Sequence, residues 1–298
     1  MRWFGLTILA LCLSCIASCG GGGSGSDPAG AAVSGNWEIS LQGSGSMVAE
    51  KMRERQLRAA RLPAGGMRLP GAKADFDSPD VVADVNYLSG FLVEGTDGVV
   101  TGSALFSAKP CSGVGEVSGS VNETAVSLTV SPNGVTVNLT GLVGAGATTM
   151  NGSYTMLSSG CGGSQSNPQA GSWTANLVSP LMGNIQGTFV STKSATTYPI
   201  AGKIAQGPNS GSSNAPLTGS LNITGSPCFT ASTISGAISG TAVVIIFNGP
   251  NGTEIGQISG TSSLNGTALT GSYKIVPQNT PPGTPCHAGD AGSVNFKL

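Results

Sequence analysis

The chain has 298 residues, of which 39% are hydrophobic and only 9% are charged, and its formal net charge is -1. This composition is the opposite of that of disordered chains, and the missing basic excess excludes a nucleic-acid binder, which needs Lys and Arg to neutralise phosphates. The 47 glycines follow no Gly-X-Y period, which excludes collagen. We therefore expect a folded protein rich in Gly, Ser and Thr.

Residues 1–18 have the features of an export signal. Arg2 is followed by an apolar run over 3–13, which is too short to span a bilayer as a mature helix. Small residues then precede a cysteine in Ile16-Ala17-Ser18-Cys19. This segment resembles the lipobox of bacterial lipoproteins, and Cys15 is a weaker match because Cys12 occupies its aliphatic position.

The lipobox resemblance implies cleavage before Cys19 and a diacylglycerol, with further acyl chains such as palmitate, on that residue. Two or more acyl chains are enough for stable membrane attachment. Since Gly20 rather than Asp follows the cysteine, the resemblance also implies the outer membrane in a bacterium with two membranes. Residues 19–33 are Gly/Ser-rich and are predicted to be a flexible tether between the lipid and a folded domain.

Residues 34–166 and 167–298 are predicted to be two tandem, homologous, all-β domains. Landmarks recur in the same order in both halves, three of them at an offset of 117 residues. They are Gly-x-Trp at 35–37 and 171–173, Thr-Gly-Ser at 101–103 and 218–220, Pro-Cys at 110–111 and 227–228, Val/Ile-Ser-Gly at 117–119 and 234–236, Pro-Asn-Gly at 132–134 and 250–252, and Gly-Ser-Tyr at 152–154 and 271–273. The Gly/Ser/Thr-rich repeats themselves resemble those of bacterial lipoproteins.

Short runs of alternating apolar residues, such as 125–130 and 135–139, are bounded by Asn-Gly turns and predict antiparallel hairpins. Many strands carry a glycine between apolar neighbours, which marks bends or close backbone approaches. Each half is therefore expected to be either a small barrel or a packed sandwich.

The Gly-x-Trp motif on the first strand of each predicted half resembles the calycin barrels, lipocalins and avidins, in which a tryptophan closes one end. That resemblance implies a cavity behind Trp37 in one half and behind Trp173 in the other. Both residues are therefore candidate ligand-facing side chains.

The first half contains an additional segment at about 44–86, because its Trp-to-Cys distance is longer than that of the second half. Glu50–Leu62 lacks Gly and Pro and favours a short helix. A basic patch there would contact anionic lipid, surface polysaccharide or a partner; the alternative is a solvated excursion from the domain. The patch comprises Lys51, Arg53, Arg55, Arg58 and Arg61, with Arg68 and Lys73 beyond it.

Four cysteines remain after the signal and Cys19 are set aside, and an even number in an exported protein indicates disulfides. Spacing alone leaves three pairings open. The repeat favours Cys111–Cys161 and Cys228–Cys286, one in each half.

Catalytic and metal-binding patterns are weak throughout the chain. His287 is the only histidine, so a Ser-His-Asp arrangement would need it together with Asp290. A glycosidase would need a carboxylate pair among Glu38, Glu94, Glu116, Glu123 and Glu254, which do not correspond between the halves. The acidic cluster Asp75, Asp77, Asp80 and Asp84 lacks the spacing of a calcium-binding EF-hand. We expect no enzyme activity, no metal and no cofactor.

These observations favour a lipid-anchored, non-catalytic protein of the cell envelope with a structural or macromolecule-binding role. Its partners would be the membrane, through the lipid, and an envelope polymer or protein. The alternative is a carrier of small hydrophobic ligands with calycin-like barrels.

Overall fold

The computed structural model describes residues 32–43, 86–107, 112–158, 169–249, 252–276 and 289–298. Over these ranges the chain is all-β, as predicted, with sixteen strands and one short 3-10 turn at Ala145–Ala147. The strands of the first half are β1 Gly35–Gly43, β2 Asn86–Glu94, β3 Val99–Ser107, β4 Gly113–Asn122, β5 Ala125–Pro132, β6 Val135–Val143, β7 Thr149–Ser158 and β8 Gln169–Val178. Those of the second half are β9 Gly183–Ser191, β10 Thr197–Gln206, β11 Ala215–Ile223, β12 Ala231–Ser239, β13 Ala242–Asn248, β14 Glu254–Ser262, β15 Ala268–Ile275 and β16 Ala291–Lys297.

Each run of eight strands closes into an antiparallel barrel. Neighbours in sequence are neighbours in space, and the first strand of each run pairs with the last, β1 with β8 and β9 with β16. Closure leaves no unpaired sheet edge. Of the two predicted architectures, the structure therefore has the barrel.

The boundary between the barrels differs from the prediction. It lies at 179–182, between β8 and β9, and not between 166 and 167. The prediction aligned the Gly-x-Trp motif of 171–173 with that of 35–37, but these motifs lie on β8 and β1, which pair in the same barrel, with Leu41 opposite Trp173. The motif at 171–173 therefore ends the first barrel and does not begin the second.

The two barrels are nevertheless repeats of each other, strand for strand. Trp37 pairs with Gly90 between β1 and β2, and Ile185 pairs with Gly202 between β9 and β10. At the other end of each barrel, Gly152 pairs with Trp173 and Gly271 with Val294. The counterpart of Trp37 is thus Ile185, and that of Trp173 is Val294.

Two separate apolar cores fill the barrels. Inward side chains alternate with outward ones along the strands, as in β5, where Val126, Leu128 and Val130 are buried. The largest fully buried side chains are Trp37, Trp173, Phe106, Leu88, Leu128, Leu139 and Met150 in the first barrel, and Phe189, Phe247, Phe296, Leu181 and Ile185 in or beside the second.

Inward glycines permit the strong coiling of these small barrels. A Cβ on Gly90 would collide with the backbone oxygen of Ser103 and lie 2.6 Å from the Cα of Ala104. On Gly187 it would lie 2.6 Å from the Cα of Phe296, which is its partner across the β9–β16 pair. The strands approach so closely at these points that only glycine fits, and a large side chain of the neighbouring strand covers the vacant position.

Candidate functional site

The two tryptophans lie inside the core of the first barrel, and each is 1% exposed. The indole nitrogen of Trp37 donates to the Val33 oxygen at 2.8 Å, and that of Trp173 donates to the oxygens of Thr140 and Ser153, each at 3.1 Å. The expectation of one tryptophan per barrel is wrong, because β8 belongs to the first barrel. Both indoles are packed and hydrogen-bonded, so neither faces an open ligand site.

The interior of the second barrel is closed by aromatic rings. Phe189 stacks on Tyr273 with ring centroids 4.5 Å apart, and Phe247 contacts Phe189 at 5.7 Å. Phe229, in the connection between β11 and β12, packs on Phe247 at 5.4 Å. Cys228 also packs against this core, so the connection covers one end of the barrel.

Several predicted residues lie outside the described residues and their roles stay predictions. Cys228 is a bonded cysteine and not a free thiol, but the other three cysteines of the predicted pairs are not described, so both pairings stay predictions. The remaining predicted sites outside the described ranges are the signal, Cys19 and most of the tether, the basic patch with its predicted helix, the acidic cluster at 75–84, and His287.

Asp290 is described, and its carboxylate joins β9, β15 and β16. It accepts hydrogen bonds from the Ser191 hydroxyl at 2.7 Å, the Tyr273 hydroxyl at 2.8 Å and the Ala291 amide at 2.9 Å. Burial, and then the hydrogen bond to Asp290 and its charge, raise the pKa of Tyr273. Three donors hold this carboxylate in place, so Asp290 serves as a structural clamp where the barrel closes.

The five glutamates considered as a carboxylate pair have separate surroundings. Glu38 lies between the barrels, Glu94 accepts a hydrogen bond from the Val33 amide at 2.7 Å, and Glu116 lines a groove on the first barrel. Glu123 lies in an exposed turn, and Glu254 begins β14. Within the described ranges, no three His, Cys, Asp or Glu residues are grouped as metal ligands would be.

The contact between the two barrels is the main polar feature that sequence reasoning missed. Asn36 is 3% exposed. Its amide nitrogen donates to the oxygen of Gly240, and its amide oxygen accepts from the nitrogen of the same residue, both at 2.8 Å. One side chain thus satisfies the backbone nitrogen and oxygen of Gly240, which lies in the turn that joins β12 to β13 of the other barrel.

Other groups extend this contact. The Ser89 hydroxyl lies 3.1 Å from that of Ser239, which donates to the Ser213 oxygen at 2.7 Å. Phe91, on the outer face of β2, belongs to the apolar cluster of the second barrel. The two barrels are therefore joined by buried polar and apolar contacts as well as by the linker.

Glu38 is the ionisable group of this contact. Its carboxylate accepts a hydrogen bond from the Thr241 amide at 3.0 Å. Burial raises the pKa of Glu38, and the hydrogen bonds from Thr241 lower it by less. Burial, followed by the charge of Glu38, also raises the pKa of Tyr87. We therefore expect the stability of the contact between the barrels to depend on pH.

A shallow groove of about 490 Å³ lies on the outer face of β3, β4 and β5, and the loop at 207–214 of the second barrel borders it. Half of its eight lining residues bear a hydroxyl group, namely Thr101, Ser103, Ser118 and Ser131, and the others include Glu116 and Gly211. The groove offers hydrogen-bonding groups at the joint of the barrels and no apolar pocket.

No family model, curated protein or solved structure matches this chain in the three comparisons with known proteins. Among the described residues, no helix has the length and apolar character needed to cross a membrane.

Proposed function

We propose that this chain is a lipid-anchored, non-catalytic protein of the cell envelope. Its partners bind to the outer faces of the two linked barrels. The observation that carries this proposal is the filling of both barrel interiors by apolar side chains. Because the interiors are occupied, a partner would contact the outside of the barrels, where Ser, Thr and Asn side chains alternate with the buried positions.

The non-catalytic part of the proposal is supported by the state of the described acidic residues. Asp290 is held by three donors, and Glu38 is engaged with Thr241 at the contact between the barrels. Both carboxylates are engaged by neighbouring groups of the fold, so neither is presented to a substrate as an acid or base.

The lipid anchor is tested by labelling cells with a radioactive or clickable fatty acid. We expect Cys19→Ser to abolish incorporation into the chain and to leave an uncut precursor. Cys15→Ser is the matched control, and it should still be labelled and cut. Labelling that survives Cys19→Ser, or that is lost with Cys15→Ser alone, would contradict the proposed anchor.

The role of the outer faces is tested by capture of envelope material. The purified chain is mixed with peptidoglycan and, separately, with outer-membrane polysaccharide, and sedimentation of the polymer is measured. We expect one polymer to retain the chain, and the double variant Glu116→Gln with Ser118→Ala, which removes polar groups of the groove, to weaken that retention. Failure of both polymers to retain the chain would contradict the polymer-binding role.

A further inference from the structure

The contact between the two barrels joins two different kinds of surface. One is the outer face of the first two strands of the first barrel, which bears Asn36, Glu38, Ser89 and Phe91 and is called here the receiving face. The other is the turn of Gly240 and Thr241 in the second barrel, called the inserting turn. Since the two surfaces differ, the contact is heterologous and does not close on itself.

Each barrel carries a counterpart of both surfaces, because the barrels are repeats. On the receiving face Asn36 pairs with Phe91 and Glu38 with Ser89. The same register in the second barrel pairs Asn184 with Lys203 and Gln186 with Ala201. All four of these second-barrel residues are exposed. The second barrel thus has an exposed receiving face, on which Asn184 corresponds to Asn36 and Gln186 corresponds to Glu38.

The first barrel has a free inserting turn. Asn122 pairs with Ala125 around it, just as Ser239 pairs with Ala242 around the buried turn. Its central residues are Glu123 and Thr124, and both are exposed. Glu123 has a φ of 54°, and Gly240 has a φ of 55°, so the first residue of each turn has the same left-handed φ.

The two free surfaces also have opposite charges. Lys203 takes the place of Phe91 directly opposite Asn184 on the receiving face, and Glu123 takes the place of Gly240 on the inserting turn. If Asn184 bonds the turn as Asn36 does, the Cβ of Glu123 points toward Gln186 and Ala201, the counterparts of Glu38 and Ser89. Lys203 lies two residues from Ala201 on the same face of β10, so its long side chain brings the ammonium to the Glu123 carboxylate.

We propose that this chain associates with further copies of itself in a head-to-tail manner, the Glu123–Thr124 turn of one copy docking on the β9–β10 face of the next. Asn184 bonds the amide and carbonyl of Glu123, Gln186 accepts from the Thr124 amide, and Lys203 pairs with the Glu123 carboxylate. A heterologous contact of this kind generates an open chain or, if the rotation closes, a ring.

The association between copies is weaker than the contact within one chain. A Cβ on Gly240 would collide with the Glu38 carboxylate and lie 2.7 Å from the Cβ of Ser89. Glu123 has that Cβ, and Ala201 has a methyl group where Ser89 has its Cβ, so the free turn packs less closely than Gly240 does, and the side chains of Asn184 and Gln186 must shift to reach its backbone groups. The linker also holds the barrels of one chain at an effective concentration of about a millimolar, which separate copies reach only when crowded on a surface.

Sedimentation velocity of the purified full chain, in a density-matched detergent, tests the proposal over a range of protein concentrations. We expect the weight-average sedimentation coefficient to rise with concentration and to fall when salt is added. Lys203→Glu and Glu123→Lys should each weaken association by about tenfold or more, because each places like charges together. The double variant, in which the charges are exchanged, should restore it.

Asn184→Ala should also weaken association, while Lys274→Glu is the matched control that should leave it unchanged, because this exposed charge lies on β15, which pairs with neither β9 nor β10. A chain that stays monomeric at every concentration overturns the proposal. So does an association that the single charge reversals leave intact, or one that the double variant fails to recover. Circular dichroism of each variant, with its thermal transition, establishes that the barrels are folded.

Discussion

Replacement of Asn36 by alanine tests whether the contact between the barrels is a stabilising interface. The amide of Asn36 makes two hydrogen bonds of 2.8 Å to the backbone of Gly240, and the side chain is 3% exposed. Its removal leaves a backbone donor and a backbone acceptor buried without partners. An unsatisfied buried group costs about 1–3 kcal/mol, so we expect the free energy of unfolding to fall by about 2–4 kcal/mol.

The matched control is Asn184→Ala. Asn184 occupies the same register position in the second barrel, opposite Lys203, but it is exposed. Loss of an exposed side chain away from such contacts changes stability by less than about 0.5 kcal/mol. The two substitutions are chemically identical, so the difference between them isolates the contribution of burial against the other barrel.

Urea unfolding at low protein concentration measures both effects. Tryptophan fluorescence reports on the first barrel through Trp37 and Trp173, since the second barrel has no tryptophan, and far-ultraviolet circular dichroism reports on both barrels. With a slope of about 2 kcal/mol per molar urea, Asn36→Ala should lower the midpoint of the less stable barrel by about 1–2 M. An Asn36→Ala variant as stable as the wild type, or an equal loss in Asn184→Ala, would refute the reasoning.

Three further predictions concern stability, each measured by thermal or urea unfolding. Gly90→Ala should destabilise the first barrel by about 3 kcal/mol or more, because the new Cβ meets the backbone of the next strand, whereas Gly249→Ala, whose Cβ would have 3.3 Å to its nearest neighbour, should cost far less. Ala195→Gly should stabilise the chain by about 0.5–1 kcal/mol, since Ala195 has a φ of 54° in an exposed turn, and a loss of stability there would contradict that account. Glu38→Gln should stabilise the chain at pH 7 and much less at pH 4. Burial raises the folded pKa of Glu38 above its ordinary 4.5, so the wild type loses stability as the pH rises through the folded pKa. A glutamine avoids that loss and still accepts the hydrogen bond from the Thr241 amide.

The filled cores and the ligand-carrier alternative predict opposite results when hydrophobic ligands are added to the chain. Both indoles are 1% exposed and hydrogen-bonded inside the first barrel. Titration with hydrophobic ligands should therefore leave the tryptophan fluorescence unchanged until the chain unfolds. A saturable change in intensity or wavelength would support a carrier instead.

The barrel architecture is largely readable from the sequence. Alternation in segments such as β5 and the Asn-Gly turn at 133–134, where both residues have positive φ, predict hairpins by local rules. The recurrent strand glycines predict tight coiling, which the structure confirms at Gly90 and Gly187. Closure itself is a non-local pairing of β1 with β8, and no local pattern distinguishes it from a sandwich.

The misplaced boundary shows how a repeat can be right while one of its landmarks is wrong. Gly-x-Trp suits both β1 and β8, because each tryptophan covers an inward glycine on a neighbouring strand, Trp37 at Gly90 and Trp173 at Gly152. The same packing rule thus produces the same three residues on strands that are neighbours in one barrel. The counterparts of the tryptophans, Ile185 and Val294, are aliphatic and conceal the correct alignment.

The contact between the barrels could not be predicted because its residues look like ordinary outward positions. Asn36 and Asn184 occupy equivalent positions beside inward apolar residues, yet one is buried and the other exposed. What distinguishes them is the residue opposite, Phe91 in the buried case and Lys203 in the exposed one. An apolar residue on an outward strand position suits a covered face, and a lysine suits one that meets water or an acidic partner. The turns show the matching difference, with Gly240 where the face is closely packed and Glu123 where it is free. The sequence alone does not connect these four residues. The barrel register does, because it places Phe91 and Lys203 at equivalent positions of the two faces, and Gly240 and Glu123 at equivalent positions of the two turns.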